Sequence, residues 1–385
     1  MSYRTINLPF KLSGDVANKL IFTAWMFRSA VTTVFEKVKQ ICNGYPTKSF
    51  IEKNFADVAK RFLPLAHYAY TACRLVYEIC ASCRELKVPL QDVEFSNWLF
   101  VECRGDPSAK GNQGIKLLDL TTCRAKLLVE HGRLSEFTFK VTLPKSRRFR
   151  YMLEELLQLC QVKKASYDAR LYINSYCPNR VYGVLQVTVL EHIWRKYVQR
   201  DSEVITPRDA EYVLGFDVNA DNIAYCLVDL DGKLVEHGAI YFTHLVTQGR
   251  CSKGARGFVI RELHKLFAEQ KLYRERKFVV AVENPEVLSK LKLVWIRHGE
   301  RKHEHYNYWV SIFRPSLAHN IVQAADEWGI TCIFVNPRGT THSGEHKQIM
   351  KTFGIDRHRA SAYLIAKRAL EQLRQGKNIQ TYSLI

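Results

Sequence analysis

The first half of the chain shows two patterns of hydrophobic and polar positions. Residues 3–12 alternate between the two classes, as a half-buried strand does, whereas residues 15–86 repeat their apolar positions at helical spacing. A break at residues 43–46 and a second near residue 64 predict three helices there. Residues 94–205 contain short alternating runs between turn clusters, and a helix over 151–159. We expect a helical region over residues 15–93. We also expect a barrel of strands and a helix, formed by residues 1–14 and 94–205.

The pattern after residue 211 is more regular. It predicts strands over residues 212–217, 222–229, 234–242, 277–283 and 330–335, and helices over residues 257–269, 311–328 and 358–373. Three antiparallel strands followed by helix, strand, helix, strand and helix is the element order of the RNase H-like fold. We therefore predict an α/β domain of that class over residues 206–385.

Three acids lie at special places in this order. Asp217 ends the first strand, Glu283 ends the strand after the first crossover helix, and Asp356 begins the last helix. Such positions can converge at one end of the sheet, where carboxylates could hold the two Mg²⁺ ions, or Mn²⁺, that hydrolyse a phosphodiester bond. We predict that these three residues are catalytic and bind metal. Each acid alone could also be a cap or a loop salt bridge, and Asp356 is a good N-cap residue.

Charge points to a polyanionic partner. The 385 residues contain 57 Lys and Arg against 38 Asp and Glu, a net charge of +19, which favours binding to phosphates through counterion release. Several basic runs are candidates for nucleic-acid contact, although each could also be a solvated loop. They comprise Lys145, Arg147, Arg148, Arg150, Lys163, Lys164, Arg297, Arg301, Lys302, Arg357 and Arg359.

Membrane and disulfide classes are disfavoured. No window approaches the roughly 20 apolar residues of a membrane span, and residues 1–6 lack the pattern of a signal peptide. We expect a cytoplasmic protein, associated with the nucleoid if the source is prokaryotic. The eleven cysteines contain one CxxC pair, Cys80 and Cys83, without a second pair to complete a zinc site. We therefore expect buried thiols and no structural zinc.

The C-terminal half resembles the TnpB family of transposon-encoded, RNA-guided DNA endonucleases, which are related to type V CRISPR effectors. Residues 215–224 (GFDVNADNIA) resemble the first RuvC motif of that family, and residues 280–284 (VAVEN) resemble the second. Residues 353–368 (FGIDRHRASAYLIAKR) are similar to the third motif in members without a zinc ribbon, and residues 336–341 (NPRGTT) to the segment before that ribbon. The similarity covers residues 212–374.

This resemblance implies metal binding by Asp217, Glu283 and Asp356, a guide RNA, and double-stranded target DNA. It also implies that the first half is a wedge domain with an inserted recognition lobe. Two departures stand out. The zinc-ribbon interval contains one cysteine, Cys332, and residues 342–346 are expected to be a solvated loop. Asp356 also lies three residues before the run at 359–361, whereas the common third motif places its acid two residues before such a run.

Three other functions remain open. The chain could be a nuclease-inactive, RNA-guided DNA-binding protein, or a guide-independent RuvC-like resolvase or transposase. An actin-like or sugar-kinase ATPase shares the core, but residues 218–222 have no glycine for a phosphate hairpin. The oligomeric state is not readable from the sequence.

Overall fold

The computed structural model describes residues 4–86, 88–199, 203–219, 221–243, 246–247, 250–251, 253–284, 293–296, 314–336 and 344–375. The chain divides into two compact units. The first comprises Met1–Tyr197 with Leu293–Trp295, and the second comprises Val198–Lys292 with Ile296–Ile385. Leu293 joins the first unit because its carbonyl accepts hydrogen bonds from the Ser96 amide at 3.0 Å and the Trp98 indole at 3.1 Å.

The first unit combines helices with small sheets. Its elements are β1 (Thr5–Ser13), α1 (Asp15–Ile41), α2 (Lys48–Lys60), α3 (Ala66–Leu86), β2 (Val93–Phe95), β3 (Phe100–Cys103), β4 (Gly105–Asp106), β5 (Gly111–Asn112), β6 (Ile115–Leu117), β7 (Thr122–Glu130), β8 (Arg133–Lys140), α4 (Arg147–Gln161), β9 (Ala169–Cys177), β10 (Arg180–Thr188) and α5 (Glu191–Val198). The larger sheets have the strand orders β1-β10-β9-β3 and β6-β7-β8.

Local sequence explains several of these boundaries. Strand β1 alternates buried and exposed side chains along its length, as its pattern predicts. Thr47 caps α2 by accepting the Phe50 amide at 3.2 Å. Gly183 lies opposite Phe10 in the β1–β10 register, and a Cβ at residue 183 would stand 2.4 Å from the Phe10 ring. Only glycine therefore leaves room for this aromatic side chain in the sheet core.

The three predicted N-terminal helices are confirmed by α1, α2 and α3. These helices belong to the same compact unit as the sheets, and the two larger sheets are hydrogen-bonded separately. A barrel with a distinct inserted lobe therefore stays a prediction. Helix α4 begins at Arg147, four residues before the predicted start, so most of the basic run at 145–150 is helical rather than loop.

The second unit is built on one five-stranded sheet. The elements from residue 212 onward are β11 (Tyr212–Val218), β12 (Asn222–Asp229), β13 (Leu234–Tyr241), β14 (Val246–Thr247), β15 (Arg250–Cys251), α6 (Lys253–Ala268), a π-helical turn (Glu269–Tyr273), β16 (Phe278–Glu283), β17 (Val294–Ile296), α7 (Arg314–Glu327), β18 (Cys332–Val335), α8 (Gly344–Phe353) and α9 (Arg357–Gln375). Of these, β17 has its first two residues in the first unit. The strand order is β13-β12-β11-β16-β18. The first three pair antiparallel, and β16 and β18 run parallel to β11.

Helix α9 packs directly on the central strand. A Cβ on Gly215 would lie 2.3 Å from the Ala362 carbonyl oxygen and 2.7 Å from the Ala366 amide nitrogen, so glycine permits this close approach. Ala281 on the neighbouring strand faces the same core, together with Ile365 of the helix. The face of the sheet that carries residues 215 and 281 is therefore the face that α9 covers.

Two stretches differ from the sequence prediction. Residues 344–346 begin α8 instead of lying in a solvated loop, and His346 is only 4% exposed. Its ring nitrogen lies 2.8 Å from the Arg357 carbonyl oxygen and 3.2 Å from Ser361 Oγ, which ties α8 to the start of α9. The second stretch lies at the predicted boundary between residues 94–205 and 206–385, where Ile205 forms a parallel bridge with Ile330.

No helix among the described residues is long and apolar enough to cross a membrane.

Candidate functional site

Asp217 and Glu283 lie side by side on neighbouring strands. Phe216 of β11 pairs with Val282 of β16 in parallel register, so the next residue on each strand is one of the two acids. Side chains alternate along a strand, and residue 217 therefore shares the sheet face of Gly215, which α9 covers. Glu283 shares the face of Ala281, which packs in the same core. The two carboxylates thus project from adjacent strand ends on one face.

Asp217 is buried, with only 3% of its surface exposed. Its Oδ2 accepts a hydrogen bond from the Asn219 amide at 2.8 Å and lies 3.3 Å from His358 Nδ1. Among the described residues, no Lys or Arg forms an ion pair with this carboxylate. Burying an acid without a fixed positive charge is costly, which is a frequent property of sites that bind a cation.

Asp356 has a different environment. It is exposed, and its Oδ1 accepts the backbone amides of His358 and Arg359, each at 2.9 Å. Its Oδ2 accepts the Arg359 guanidinium at 2.6 Å. This is the arrangement of an N-cap residue at the start of α9. His358, two residues later, is the residue of this helix that contacts Asp217.

The start of α9 has a further anchor in β12. The Cys226 thiol donates to the Arg359 carbonyl oxygen at 3.1 Å. Burial raises the pKa of Cys226 to about 12, so that it remains a neutral donor at physiological pH. Together with the His346 contact, this fixes the first turn of α9 against the sheet.

The acids do not form a ready group of three. Over the residues that the structure describes, no three His, Cys, Asp or Glu side chains are placed so that they could hold a metal ion together. The structure brings Asp217 close to His358 and, by strand register, to Glu283. Asp356 serves as the cap of α9.

The predicted basic residues of the first unit fall at two ends of α4. Arg147, Arg148 and Arg150 lie in its first two turns, whereas Lys163 and Lys164 follow its last residue, and all five are exposed, as is Lys145. A helix of 15 residues is about 22 Å long, so the two groups are separate patches.

We call the Arg147, Arg148 and Arg150 group the arginine cluster. Helix α4 has no acid in its first turn and no side-chain cap, so this cluster stands at the positive end of the helix dipole.

Aromatic rings accompany the arginine cluster. Phe149 stacks on Trp194 of α5 with centroids 5.9 Å apart, and Tyr151 stacks on Tyr197 at 6.3 Å. Tyr151 is 50% exposed. A partly exposed aromatic stack beside arginines is a surface on which nucleic-acid bases can stack.

Other predicted contact residues have mixed outcomes. Arg357 is exposed, while Arg359 is half-buried and pairs with Asp356. Arg297, Arg301 and Lys302 lie outside the described residues, as does most of the basic stretch at 295–309. The single CxxC pair lies in α3 as buried free thiols, and burial raises the pKa of Cys83 to about 12.

Comparison with known proteins identifies relatives of this chain. A family model described as the SSO2105 N-terminal domain matches residues 3–197, just over half of the chain. A protein of Aeropyrum pernix is 31% identical over 376 residues, which are 97% of this chain and 98% of that protein. The chain belongs to the SSO2105 N-terminal domain family. A second Aeropyrum pernix protein is 31% identical over 97% of this chain and 87% of its own length.

Two further similarities extend this picture. The protein SSO2105 of Saccharolobus solfataricus is 26% identical over 274 residues, covering 70% of this chain and 68% of SSO2105. These three relatives are described as uncharacterized proteins. Among solved structures, a chain of T. thermophilus RuvC in complex with Holliday junction substrate is similar at 16% identity and a TM-score of 0.29. That match covers 43% of this chain and 96% of the other.

The residues that match the SSO2105 N-terminal domain coincide with Met1–Tyr197, the main segment of the first compact unit. The arginine cluster and both aromatic pairs of α4 and α5 therefore lie within the family domain. The acids lie in the second unit, beyond the part that the family model matches.

Sequence reasoning missed His358 and Asn219 as members of the site. Both are close to predicted residues, since Asn219 follows Asp217 by two positions and His358 follows Asp356 by two. Helical geometry was the signal that could have found His358, because side chains rotate by about 100° per residue along α9. It places residues 356 and 358 on clearly different sides of the helix start.

Proposed function

We propose that this protein is a metal-dependent nuclease that hydrolyses phosphodiester bonds in DNA, with an RNase H-like domain over residues 206–385. One observation carries the proposal. Asp217 and Glu283 follow paired residues of two parallel strands on the face that α9 covers, and Asp217 is buried there without a Lys or Arg partner among the described residues. A pair of converging carboxylates of this kind is suited to a divalent cation.

The strand order of the second unit supports this proposal. In β13-β12-β11-β16-β18, three antiparallel strands precede two parallel ones, and α9 crosses the central strand. The order of these strands and helices along the chain is the order from which we predicted the RNase H-like class. The first strand, β11, lies at the sheet centre, and Asp217 is its penultimate residue. The motif resemblance to TnpB nucleases supports the same roles for Asp217 and Glu283.

The donor set fits Mg²⁺. This ion prefers oxygen ligands and is commonly held by one or two carboxylates, with water and substrate phosphate oxygens completing its shell. Asp217 and Glu283 would hold it, and a bound ion would polarise the phosphodiester and activate water. Asn219 keeps Asp217 oriented by donating to its Oδ2. Two ions, with Mn²⁺ as a substitute, remain the expectation from the resemblance, which alone assigns a metal-binding role to Asp356.

The net charge of +19 supports a nucleic-acid partner. We further propose that a guide RNA directs the protein to double-stranded DNA, as the TnpB resemblance implies. The arginine cluster and its aromatic neighbours are one surface suited to such a partner. Exposed arginines bind phosphates, and Tyr151 offers a ring for stacking.

A cleavage assay on the purified full chain tests the proposal. Supercoiled DNA, single-stranded DNA and RNA are incubated with Mg²⁺ or Mn²⁺, using protein with its copurified RNA and protein freed of RNA. We expect DNA cleavage that EDTA stops and that Asp217→Asn removes. Loss of cleavage after RNA removal supports the guided model. Full activity without RNA would favour the guide-independent resolvase or transposase, and absence of cleavage under all conditions would refute the nuclease.

A second function is favoured by the environment of Asp356. Its oxygens cap α9 and bind Arg359, and the described residues contain no group of three potential ligands. An RNA-guided DNA-binding protein that acts by occlusion would need no third acid. Tight, RNA-dependent DNA binding without nicking, unchanged in Asp217→Asn, would establish this second function.

A further inference from the structure

The start of α9 assigns separate tasks to Asp356 and His358. Asp356 accepts the amides of residues 358 and 359 through Oδ1 and the Arg359 guanidinium through Oδ2. Both oxygens are engaged in starting the helix, where a carboxylate also interacts favourably with the helix dipole. A contact between this helix start and the Asp217 carboxylate is made by His358, whose Nδ1 lies 3.3 Å from Asp217 Oδ2.

The tautomer of His358 decides which atom donates in this contact. A carboxylate oxygen accepts the hydrogen bond when the imidazole nitrogen that faces it carries a hydrogen. In the Nδ1–H tautomer, His358 donates to Asp217 Oδ2, and the Asn219 amide donates to the same Oδ2 at 2.8 Å. Two donors from different elements, α9 and the residues after β11, thus hold one oxygen of the buried carboxylate.

The contact between His358 and Asp217 involves a buried carboxylate. The Asp217 side chain is 4% exposed and that of His358 is 30% exposed, so the contact joins a buried carboxylate to a partly exposed imidazole. The first turn of α9 is fixed by its Asp356 cap, by Cys226 and by His346. His358 is therefore presented to Asp217 from a rigid helix start.

We propose that His358 is the positioning residue of the site and that Asp356 acts only as the helix cap that presents it. His358 orients the Asp217 carboxylate beside Glu283 through the Nδ1 hydrogen bond. This inference rests on the proposed nuclease function. The third functional position of the acidic motif is thereby assigned to His358, which acts through Asp217, and not to Asp356.

Three variants separate the two tasks. His358→Ala removes the donor, His358→Asn restores an N–H donor near the place of Nδ1, and Asp356→Ser keeps a capping oxygen but removes the carboxylate. In cleavage assays, we expect His358→Ala to lower kcat by roughly 10–100-fold, as for other residues that orient a ligand, with little change in KM. His358→Asn recovers most of the loss, and Asp356→Ser retains kcat close to wild type.

Thermal melting accompanies each assay and distinguishes misfolding from a functional loss. Cleavage abolished in Asp356→Ser at an unchanged melting temperature would overturn the proposal, because the carboxylate itself would then be needed. The same conclusion follows if His358→Asn is as inactive as His358→Ala while both variants melt like wild type.

A spectroscopic measurement tests His358 independently of activity. In protein labelled with ¹⁵N-histidine, the His358 signals are assigned by their loss in His358→Asn. We expect a protonated Nδ1 in wild type, and a shift of the proton towards Nε2 in Asp217→Ala. A His358 with a bare Nδ1 in wild type would overturn the proposal. If wild type cleaves no nucleic acid but carries this Nδ1 proton, the nuclease function fails and the positioning contact stands.

Discussion

In the first unit, the buried carboxylate Glu102 is 1% exposed and meets two guanidinium groups. Arg170 pairs with one of its oxygens, and Arg104 lies 3.6 Å from the other. In the second unit, the buried carboxylate Asp217 is 3% exposed and meets only an amide and an imidazole among the described residues. Two buried acids with similar exposure thus have opposite electrostatic environments.

The difference between these environments indicates that Glu102 and Asp217 serve different purposes. Arg104 also binds Glu78 at 2.6 Å and Asp168 at 2.5 Å, so the charges of this network neutralise one another within the fold. Burial alone would lower the pKa of Arg104, but Glu78, Glu102 and Asp168 outweigh it and raise the pKa overall. Over the part of the chain that the structure describes, no Lys or Arg neutralises Asp217 in this way. A site that leaves a buried acid without a fixed cation is available to an external one.

The largest effect should come from Asp217→Asn. The amide preserves size but loses the charge that a metal ion requires, so we expect DNA cleavage to fall by at least about 100-fold. Stability should change by no more than about 1 kcal/mol, because none of the described Lys or Arg residues forms an ion pair with Asp217 that the change would break. Cleavage rates and denaturant unfolding measure the two effects. A large loss of stability would show that Asp217 is structural and would erase the contrast with Glu102.

The opposite outcome is expected for Arg104→Ala. It leaves Glu78, Glu102 and Asp168 without their shared partner, and breaking a buried ion pair on one side costs about 3–5 kcal/mol. Urea unfolding followed by circular dichroism measures the loss. Arg133→Ala is a matched control, since its ion pair among the described residues is with exposed Glu130 and should contribute under about 1 kcal/mol. Equal effects for the two variants would contradict the structural role of the network.

The comparison also shows what the sequence can predict. Asp217 and Glu283 were predicted because each ends a strongly apolar strand, and a crossover helix makes those strands parallel neighbours. The role of His358 was not predictable, since it depends on which residue caps α9, and one position changes the side-chain direction by about 100°. Cap choice depends on contacts such as Cys226 and His346, which come from distant elements.

Other misses have the same origin. The start of α4 was placed too late because arginines in a first turn oppose the helix dipole and are an unusual start signal. Helix α8 was missed because residues 342–346 contain turn-forming and polar residues, whereas its buried side chains include a histidine, His346. In both cases tertiary contacts outweigh local preference.

Gly215→Ala should have an intermediate effect. Its Cβ would meet backbone atoms of Ala362 and Ala366 in α9, and overpacking of this kind costs about 1–3 kcal/mol. Because α9 carries His358, cleavage should fall together with stability. Gly257→Ala in α6 is the control: its Cβ would meet open space, and alanine favours helix, so stability should rise slightly. Unchanged unfolding of Gly215→Ala would contradict the close packing of α9 on β11.

The smallest effect concerns the arginine cluster. Arg147→Ala should weaken binding to DNA or RNA by a few-fold and reduce the slope of log affinity against log salt by about one, because one phosphate contact is lost. It should also stabilise α4 by about 0.3–1 kcal/mol, since a positive charge leaves the positive end of the helix dipole. Lys164→Ala at the opposite end is the control, for which the dipole predicts a loss of stability.

Gel-shift titrations between about 50 and about 200 mM salt measure the binding affinity and its salt dependence, and urea unfolding measures the stability. If Arg147→Ala gains stability while binding is unaffected, the cluster is only a solvated surface. The first unit would then offer no example of a charge that lowers helix stability and serves binding. The contrast with the neutralised charges around Glu102 would rest on Asp217 alone.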